Sequence, residues 1–164
     1  MHPLIPAALL LLLAACAGAP QATAFRTAEA PIWSAAAFAP AQIAGDWRQV
    51  AGFATAAGGC QGGGLTFTPV AEGLEVRGTL CLDGRTTAID SRAWPVGPGR
   101  LALAGSEDWW ILWVDSGYRT LAVGTPSGRF GFVLDREVAA PDRLVAAREV
   151  FAFNGYAPAA FRPF

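Results

Sequence analysis

The chain contains no lysine, and its single histidine is His2, the second residue. The absence of lysine excludes Schiff-base catalysis and the Gly-Lys-Ser/Thr ending of a phosphate-binding loop. The absence of any later histidine excludes Ser-His-Asp and Cys-His nucleophiles, and also histidine metal sites, from residues 3–164. The sequence therefore predicts no catalytic residue, no metal site and no cofactor.

Charge is also scarce, because charged residues make up 15% of the 164 residues and the net charge is −1. The 12 basic residues are all arginines and lie singly along the chain. The sequence therefore has no basic patch, and nucleic-acid binding is not predicted. Carboxylates that could act as acid or base are Glu107, Asp108, Asp115 and Asp135. All four lie at predicted strand ends, where a solvated charge is the usual explanation, so an enzyme is not predicted.

The N-terminal residues have the pattern of a targeting segment. Residues 4–15 are an apolar run, too short for a permanent membrane helix and typical of the centre of a signal peptide. Its end, Leu13-Ala14-Ala15-Cys16, resembles the lipobox of bacterial lipoproteins. The resemblance implies that residues 1–15 are removed, that acyl chains such as palmitate are attached to Cys16, and that the protein lies at the periplasmic face of the outer membrane. An ordinary signal peptide with an incidental cysteine is the alternative.

Residues 16–40 are rich in alanine and proline, and are predicted to be the lipid anchor and a tether, with 31–40 lying against the domain. A lipoprotein of this kind lies outside the cytoplasm, where disulfides persist. Cys60 and Cys81 are then the two remaining cysteines, and we expect them to be bridged. A disulfide that closes this 21-residue loop should stabilise the folded state by about 3 kcal/mol in the chain-entropy model. The bridge would fasten the glycine-rich loop 54–64.

The domain, residues 41–164, is predicted to be all-β with one late helix. Short β-branched or aromatic runs alternate with Gly, Pro, Asp and Ser turns, and no helical periodicity separates them. Asp83-Gly84 is a strong hairpin signal. Successive hairpins favour an eight-stranded up-and-down antiparallel β-barrel, which has no exposed edges. The predicted strands are 46–53, 65–70, 74–82, 85–94, 100–104, 109–114, 118–123 and 130–134.

The predicted helix has its own start and stop signals. Pro141 suits the first turn, and Asn154-Gly155 can end the helix in a left-handed conformation. Leu144, Ala147 and Phe151 are spaced to pack against the barrel wall.

This arrangement resembles the lipocalin family, and the bacterial outer-membrane lipoprotein type in particular. Three motifs carry the resemblance over residues 31–164: Gly45-Asp46-Trp47 opening the first strand, Asp115 with Tyr118 between the sixth and seventh strands, and Arg136 after the eighth. The resemblance implies that Gly45, Trp47 and Arg136 close one end of the barrel, with Arg136 packed over Trp47. It also implies a small hydrophobic or amphipathic ligand, such as a fatty acid or lysophospholipid.

Three residues are predicted to bind that ligand: Trp109, Trp113 and Arg119. Strict alternation would put Trp109, Ile111 and Trp113 on one strand face, and core packing alone is the competing explanation. Arg119 would bind an anionic head group if it pointed inward, because an unpaired buried arginine is costly. An outward, solvated Arg119 is the alternative.

A second resemblance covers Gly45 to Leu103. This half is also similar to small periplasmic inhibitors of metalloproteases, which are eight-stranded barrels with an early disulfide. That resemblance implies a protein-binding module instead of a carrier. Small residues at inward positions near the open end would favour a ligand cavity, and bulky residues would favour surface function. The sequence does not predict the oligomeric state.

Overall fold

The computed structural model describes residues 24–164. The predicted signal peptide, Cys16 and the first part of the predicted tether lie outside the described residues. No helix of residues 24–164 is long and apolar enough to cross a membrane. The described chain forms one α-helix, α1 (Pro141–Phe153), and nine strands: β1 (Gly45–Phe53), β2 (Gly63–Val70), β3 (Gly73–Leu82), β4 (Arg85–Gly97), β5 (Arg100–Leu103), β6 (Trp109–Val114), β7 (Thr120–Gly124), β8 (Gly131–Asp135) and β9 (Phe161–Pro163).

The strands form a closed antiparallel barrel. Each of β2 to β8 pairs with its sequence neighbour, and β1 closes the sheet by pairing with β8 on one edge and with β2 on the other. The eight-stranded barrel with one helix after it, predicted from the hairpin pattern, is therefore confirmed. All eight predicted strands are present, with boundary shifts of a few residues.

Two departures from the predicted strands have physical reasons. Strand β4 continues through Pro95, which was predicted to begin a turn, because a β-bulge between Pro95 and Gly97 accommodates a residue without a backbone N–H. The ninth strand was not predicted. It pairs with Ala51–Phe53 of β1. It does so on the edge of β1 that pairs with β2 only as far as Gln49.

The interior and the outer wall of the barrel are two separate apolar clusters. The interior cluster includes Trp47, Phe67, Trp109 and Phe132, all almost fully buried. The outer cluster lies between the wall and α1, where Phe53 packs edge-on against Phe151 at a centroid distance of 4.9 Å. As predicted, Leu144, Ala147 and Phe151 form the packed face of α1, and Gly155 follows the helix with a φ of +83°.

The described N-terminal segment, residues 24–40, begins on the outside of the barrel, and Phe38 near its end joins the interior cluster. The Phe25 N–H donates to the Gly128 carbonyl at 2.7 Å, and further along the Ala35 N–H donates to the Ile111 carbonyl at 2.7 Å. Phe25 and Arg26 are both buried. Contact with the domain thus extends beyond residues 31–40, where it was expected.

The barrel has two unlike ends. We term the end formed by loops 54–62, 83–84, 104–108 and 125–130 the open end. The other, closed end is formed by turns 71–72, 98–99 and 115–119 together with the short 3-10 turn Pro40–Ile43. Ile43 is fully buried there and belongs to the interior cluster.

Candidate functional site

The closed end is sealed by a stack of Arg136 on Trp47. The Arg136 guanidinium carbon lies 4.3 Å from the Trp47 ring centroid. The same guanidinium donates to the carbonyls of Tyr118, Gln42 and Ala44 at 2.9–3.1 Å. The positive charge is thus held by an aromatic face and by backbone oxygens, and it ties the chain after β8 to both the 115–119 turn and the segment before β1.

Gly45 is needed at this end for two reasons. Its φ is +101°, a backbone conformation that residues other than glycine rarely adopt. A Cβ atom at this position would also lie 3.3 Å from an Arg136 nitrogen. Trp47 is fixed in turn by its indole N–H, which donates to the Ile43 carbonyl at 2.7 Å. The structure therefore places the predicted closure residues Gly45, Trp47 and Arg136 in one contact group.

The turn between β6 and β7 is organised by Asp115. Its carboxylate accepts hydrogen bonds from the backbone N–H groups of Gly117, Arg119 and Thr120 at 2.6–3.3 Å. Burial would raise the pKa of Asp115, but these N–H groups, with the Arg119 side chain, hold that pKa below its ordinary value. Tyr118 has a left-handed φ of 51° in this turn, a conformation that is uncommon for residues other than glycine. The hydrogen bonds of Asp115 hold the turn in this conformation, so Asp115 has a structural role.

Arg119 points away from the interior, contrary to the inward orientation that its predicted ligand role required. Its guanidinium forms a salt bridge with Asp115 at 3.1 Å, and its side chain is 61% exposed. The turn lies at the closed end, so Arg119 is at the wrong end of the barrel for a ligand in the mouth. The left-handed Tyr118 and the short turn direct this side chain outward, which sequence alternation alone did not show.

Trp113 also differs from its predicted orientation. Strand β6 has a β-bulge between Ile111 and Trp113. Before the bulge Trp109 and Ile111 face the interior, whereas Trp113 lies beside Leu112 in the outer cluster. The expectation that Trp109, Ile111 and Trp113 share one face was therefore wrong, because one extra residue in a strand reverses the alternation.

The lower interior of the barrel is filled with side chains. Leu121, Val123, Phe132 and Leu134 of β7 and β8 are all at most 1% exposed, and Trp109 packs edge-on against Phe132 at 5.1 Å. Bulky residues at these inward positions leave no deep cup among β6, β7 and β8.

A cleft of about 320 Å³ lies in the mouth at the open end. It exists because the first half of β4 pairs only with β3, whereas β5 pairs with β4 from Ala93 onward. The wall of the cleft is therefore interrupted between β4 and the β5–β6 loop. The lining residues are Leu82, Thr87, Ala88, Ile89, Asp90, Ser91, Leu103, Ala104, Gly105, Ser106, Trp109 and Phe130.

Trp109 lines this cleft and carries an unsatisfied polar group. Its indole nitrogen is the one buried side-chain nitrogen or oxygen of residues 24–164 that has no hydrogen-bond partner. A buried donor without an acceptor costs about 1–3 kcal/mol. The ring of Trp109 lines the cleft, whereas its nitrogen atom is buried from solvent. The cleft, with this ring in its wall, is the candidate binding site.

The groove continues from the cleft to Arg129. A second depression, lined by Gly105, Ser106, Glu107, Arg129 and Phe130, shares three of these residues with the cleft. Glu107 accepts from the Ser127 N–H and hydroxyl at 2.7 and 2.6 Å. Arg129 is exposed at this rim. Arg129 was not predicted from the sequence, because a single arginine in a turn after Ser127-Gly128 carries no signal of its own.

Tyr156 positions the loop on which Arg129 and Phe130 lie. Its hydroxyl accepts from the Thr125 N–H at 2.8 Å and donates to the Phe130 carbonyl at 3.0 Å. Burial raises the pKa of Tyr156, so the hydroxyl stays protonated and keeps the second bond over the ordinary pH range. The chain after α1 thereby fixes one wall of the mouth.

The disulfide predicted between Cys60 and Cys81 is confirmed, with a Cα–Cα distance of 5.6 Å. It holds loop 54–62 to the end of β3. The Cys60 N–H also donates to the Gly84 carbonyl, and Asp83 accepts from both the N–H and the hydroxyl of Thr55. The loop is thus fixed at the open end, beside the mouth.

Three of the four carboxylates considered as acid or base accept hydrogen bonds within the fold. Asp135 is buried and accepts from the Thr120 hydroxyl at 2.6 Å. Glu107 is bound to Ser127, and Asp115 organises a turn. No group of three or more histidine, cysteine, aspartate or glutamate side chains in residues 24–164 could hold a metal ion.

Comparison with known proteins identifies the fold. No protein-family model matches the sequence, and no curated protein matches it. Among solved structures, the siderocalin Ex-FABP matches with a TM-score of 0.58 and 14% identity over 73% of this chain and 91% of its own. Lobster apocrustacyanin A1 matches with a TM-score of 0.56 and 14% identity, covering 75% of this chain and 77% of its own. Apocrustacyanin C1 matches with a TM-score of 0.54 and 15% identity, covering 74% of this chain and 76% of its own. Together with the closed barrel and its single following helix, these matches show that the chain has the lipocalin fold.

Proposed function

We propose that this protein binds a small hydrophobic or amphipathic molecule in its mouth cleft and acts as a carrier held at a membrane by acylated Cys16. The observation that carries the proposal is the cleft itself, an opening of about 320 Å³ whose wall includes Leu82, Ile89 and the ring of Trp109. The buried N–H of that ring has no hydrogen-bond partner. A concave, mostly apolar site with few polar groups is the usual form of a small-molecule site.

The cleft restricts the ligand in size and in chemistry. Its volume is at the lower end of the range for small-molecule pockets, about 300–1,000 Å³. Because the interior below Trp109 is filled, the ligand is a compact apolar molecule or one segment of an acyl chain. The indole N–H of Trp109 lacks an acceptor, and a ligand oxygen that reached it, such as a carboxylate, ester or phosphate oxygen, would supply one. Fatty acids and lysophospholipids have both parts.

Arg129 takes the role first predicted for Arg119. It lies at the rim of the groove that continues from the cleft, whereas Arg119 lies at the opposite end and is paired with Asp115. An anionic head group bound at Arg129 would leave the apolar part of the same molecule among Leu82, Ile89 and Phe130. The siderocalin Ex-FABP is described as functioning through dual ligand specificities, and this supports a ligand-binding role for the same fold.

The membrane anchor and the address are supported by Leu13-Ala14-Ala15-Cys16. We propose that Cys16 is acylated and that the protein lies at the periplasmic face of the outer membrane. Two acyl chains give stable anchoring where one gives only marginal binding. Replacing Cys16 with Ser should move the protein from the membrane to the soluble fraction. Retention of the variant in the membrane fraction at the wild-type level would exclude this anchor.

The binding proposal is tested by comparing Trp109→Phe with Trp110→Phe. Trp110 is a suitable control because it lies on the outer face of the same strand, with the Arg100 guanidinium carbon 3.9 Å from its ring centroid. Titration with a fatty acid and with a lysophospholipid, followed by calorimetry, should show saturable binding to the wild type. Trp109→Phe should weaken it about 10-fold, because a hydrogen bond to a charged acceptor is worth about 1.5–3 kcal/mol. Trp110→Phe should leave it unchanged.

A second pair of variants tests the head-group position. Arg129→Ala should weaken binding of the fatty acid more than binding of an uncharged acyl ester, and Arg119→Ala should affect neither. Equal loss in both arginine variants would argue against a contact at the rim.

The filled lower interior gives one reason to retain a protein-binding function as the second candidate. In that case the barrel would act through its surface, as the periplasmic protease inhibitors do. Absence of saturable binding to any lipid, together with tight inhibition of a secreted metalloprotease, would favour this second function.

A further inference from the structure

The chain enters the domain at a fixed point on the open end. The Phe25 N–H donates to the Gly128 carbonyl at 2.7 Å, and Arg26 donates to the carbonyls of Asn154 and Pro126 at 2.8 and 3.0 Å. A side chain at position 128 would put its Cβ 2.3 Å from the Arg26 Cβ, so glycine is required there. Gly128 is two residues from Phe130, which lines the mouth cleft. The entry point is therefore on the rim of the mouth.

The same end of the barrel presents uncovered apolar side chains. Phe153, at the end of α1, is 73% exposed, and Phe164, beside loop 54–62, is 42% exposed. Phe130, Ile89 and Leu82, which line the mouth cleft, are half-buried. Exposed large apolar side chains also lie elsewhere, among them Trp94 and Val96, so the open end is distinguished by having them at the same end as a cleft.

The charges at the open end are compatible with an anionic surface. Arg129 and Arg85 are exposed at this end. Two carboxylates of the same end are already occupied by hydrogen bonds within the protein, because Glu107 accepts from Ser127 and Asp83 accepts from Thr55. Neither Arg85 nor Arg129 takes part in a salt bridge within residues 24–164, so both guanidinium groups are available to lipid phosphates.

We propose that the open end docks on the bilayer to which Cys16 is attached, so that the mouth cleft faces the lipid. The inference rests on the acylation of Cys16 in the proposed function. Cys16 precedes Phe25 by nine positions, and nine extended residues span at most about 30 Å. The tether thus confines the rim of the mouth to the neighbourhood of the membrane surface. Docking by the closed end would need the tether to run back along the barrel wall.

This orientation gives the cleft a direct source of ligand. An amphipathic lipid can pass from the bilayer into the mouth with its apolar part covered by Phe130, Phe153 and Phe164. Its head group then stays at the rim beside Arg129. Transfer through water, which would expose the acyl chain, is avoided.

The test uses the full acylated protein in vesicles of phosphatidylethanolamine and phosphatidylglycerol that contain a lipid with a nitroxide quencher on its head group. Ser106 and Ser116 are matched sites, because each is an exposed serine in a loop flanking β6, one at the open end and one at the closed end. The six residues of β6 separate them by about 20 Å. Ser106→Cys and Ser116→Cys are labelled with a fluorophore under non-reducing conditions, which keep the Cys60–Cys81 bridge closed.

The label at position 106 should be quenched several-fold more strongly than the label at position 116. Replacing Phe153 and Phe164 together with serine should reduce this difference, whereas Val138→Ser, which removes an exposed apolar side chain outside the open end, should not. Equal quenching at both sites, or stronger quenching at position 116, would overturn the proposed orientation.

Failure of the orientation is distinguishable from failure of the ligand proposal. A protein that binds fatty acid but shows equal quenching refutes the docking alone. Strong quenching at position 106 without lipid binding supports the docking and refutes the carrier function. Wild-type protein that does not stay on the vesicles refutes both the anchor and the docking.

Discussion

The Arg143 guanidinium on α1 lies 3.3 Å from the carboxylate of Asp135, whose side chain at the end of β8 is 1% exposed. The same carboxylate accepts from the Thr120 hydroxyl and the Glu137 N–H. This ion pair joins the start of the helix to the barrel wall at a site where water does not screen the charges.

Replacing Arg143 with alanine should lower the free energy of unfolding by about 3 kcal/mol, because the Asp135 charge stays buried after its partner is removed. Urea unfolding measures the change. Arg148→Ala, on the exposed face of the same helix, is the control and should change stability by less than about 0.5 kcal/mol. Equal stabilities for the two variants would contradict the role assigned to the pair.

Trp47→Ala should cost about 3–5 kcal/mol, because a fully buried indole is removed from the closed end. The variant also loses the face on which Arg136 is stacked. Trp33→Ala removes an indole that is 59% exposed, and it should have a much smaller effect. An unchanged thermal midpoint for Trp47→Ala would exclude this position as the closure of the barrel.

Reduction of the Cys60–Cys81 bridge should destabilise the protein by about 3 kcal/mol in the chain-entropy model for its 21-residue loop. Urea unfolding with and without reductant measures the loss. Cys60→Ala should abolish the sensitivity to reductant. A wild-type midpoint that does not depend on the reductant would show that loop 54–62 is held mainly by its hydrogen bonds to Asp83 and Gly84.

Asp115 should make stability depend on pH in the acid range. Its pKa is lowered in the folded state, so the ionised carboxylate stabilises the fold at pH values above its ordinary pKa of 3.8. That contribution is lost as the pH falls from about 4 through the lower folded-state pKa. Asp115→Asn should cost about 1–2 kcal/mol near neutral pH, and the difference from wild type should shrink below pH 4. A difference that is constant between pH 7 and pH 3 would contradict this.

The strand pattern could be predicted where pairing is regular. Residues Leu74–Leu82 alternate between the two faces of β3, which pairs with β4 over Leu74–Leu82 and with β2 over Gly73–Thr79, in both cases without a bulge. Tight Asp-Gly and Gly-rich turns fix the hairpins locally, so their positions follow from the turn residues. The helix boundaries followed from Pro141 and Gly155 for the same reason.

The orientation of site residues could not be predicted where the chain departs from alternation. The bulge after Ile111 moves Trp113 to the outer face, and the left-handed Tyr118 turns Arg119 outward. Both belong to the β6–β7 hairpin, whose register and turn conformation the alternation of residue types does not show. The inward position of Trp109 was predictable, but the missing partner of its indole N–H is a property of the packed interior and has no sequence signal.

Strand β1 pairs with strands from both halves of the domain, and this has a consequence for the order of folding. The register joins Arg48 to Asp135 and Ala51 to Pro163, whereas β2, β3 and β4 are joined by short turns. Local hairpins form within microseconds, and pairings between residues far apart in sequence are slow. We expect β2, β3 and β4 to form first, as a curved open sheet that already contains Cys81. Cys60 lies just before that sheet, so oxidation can be complete while the barrel is still open. We expect the pairing of β1 with β8 and β9 to be the last step and to determine the rate of folding.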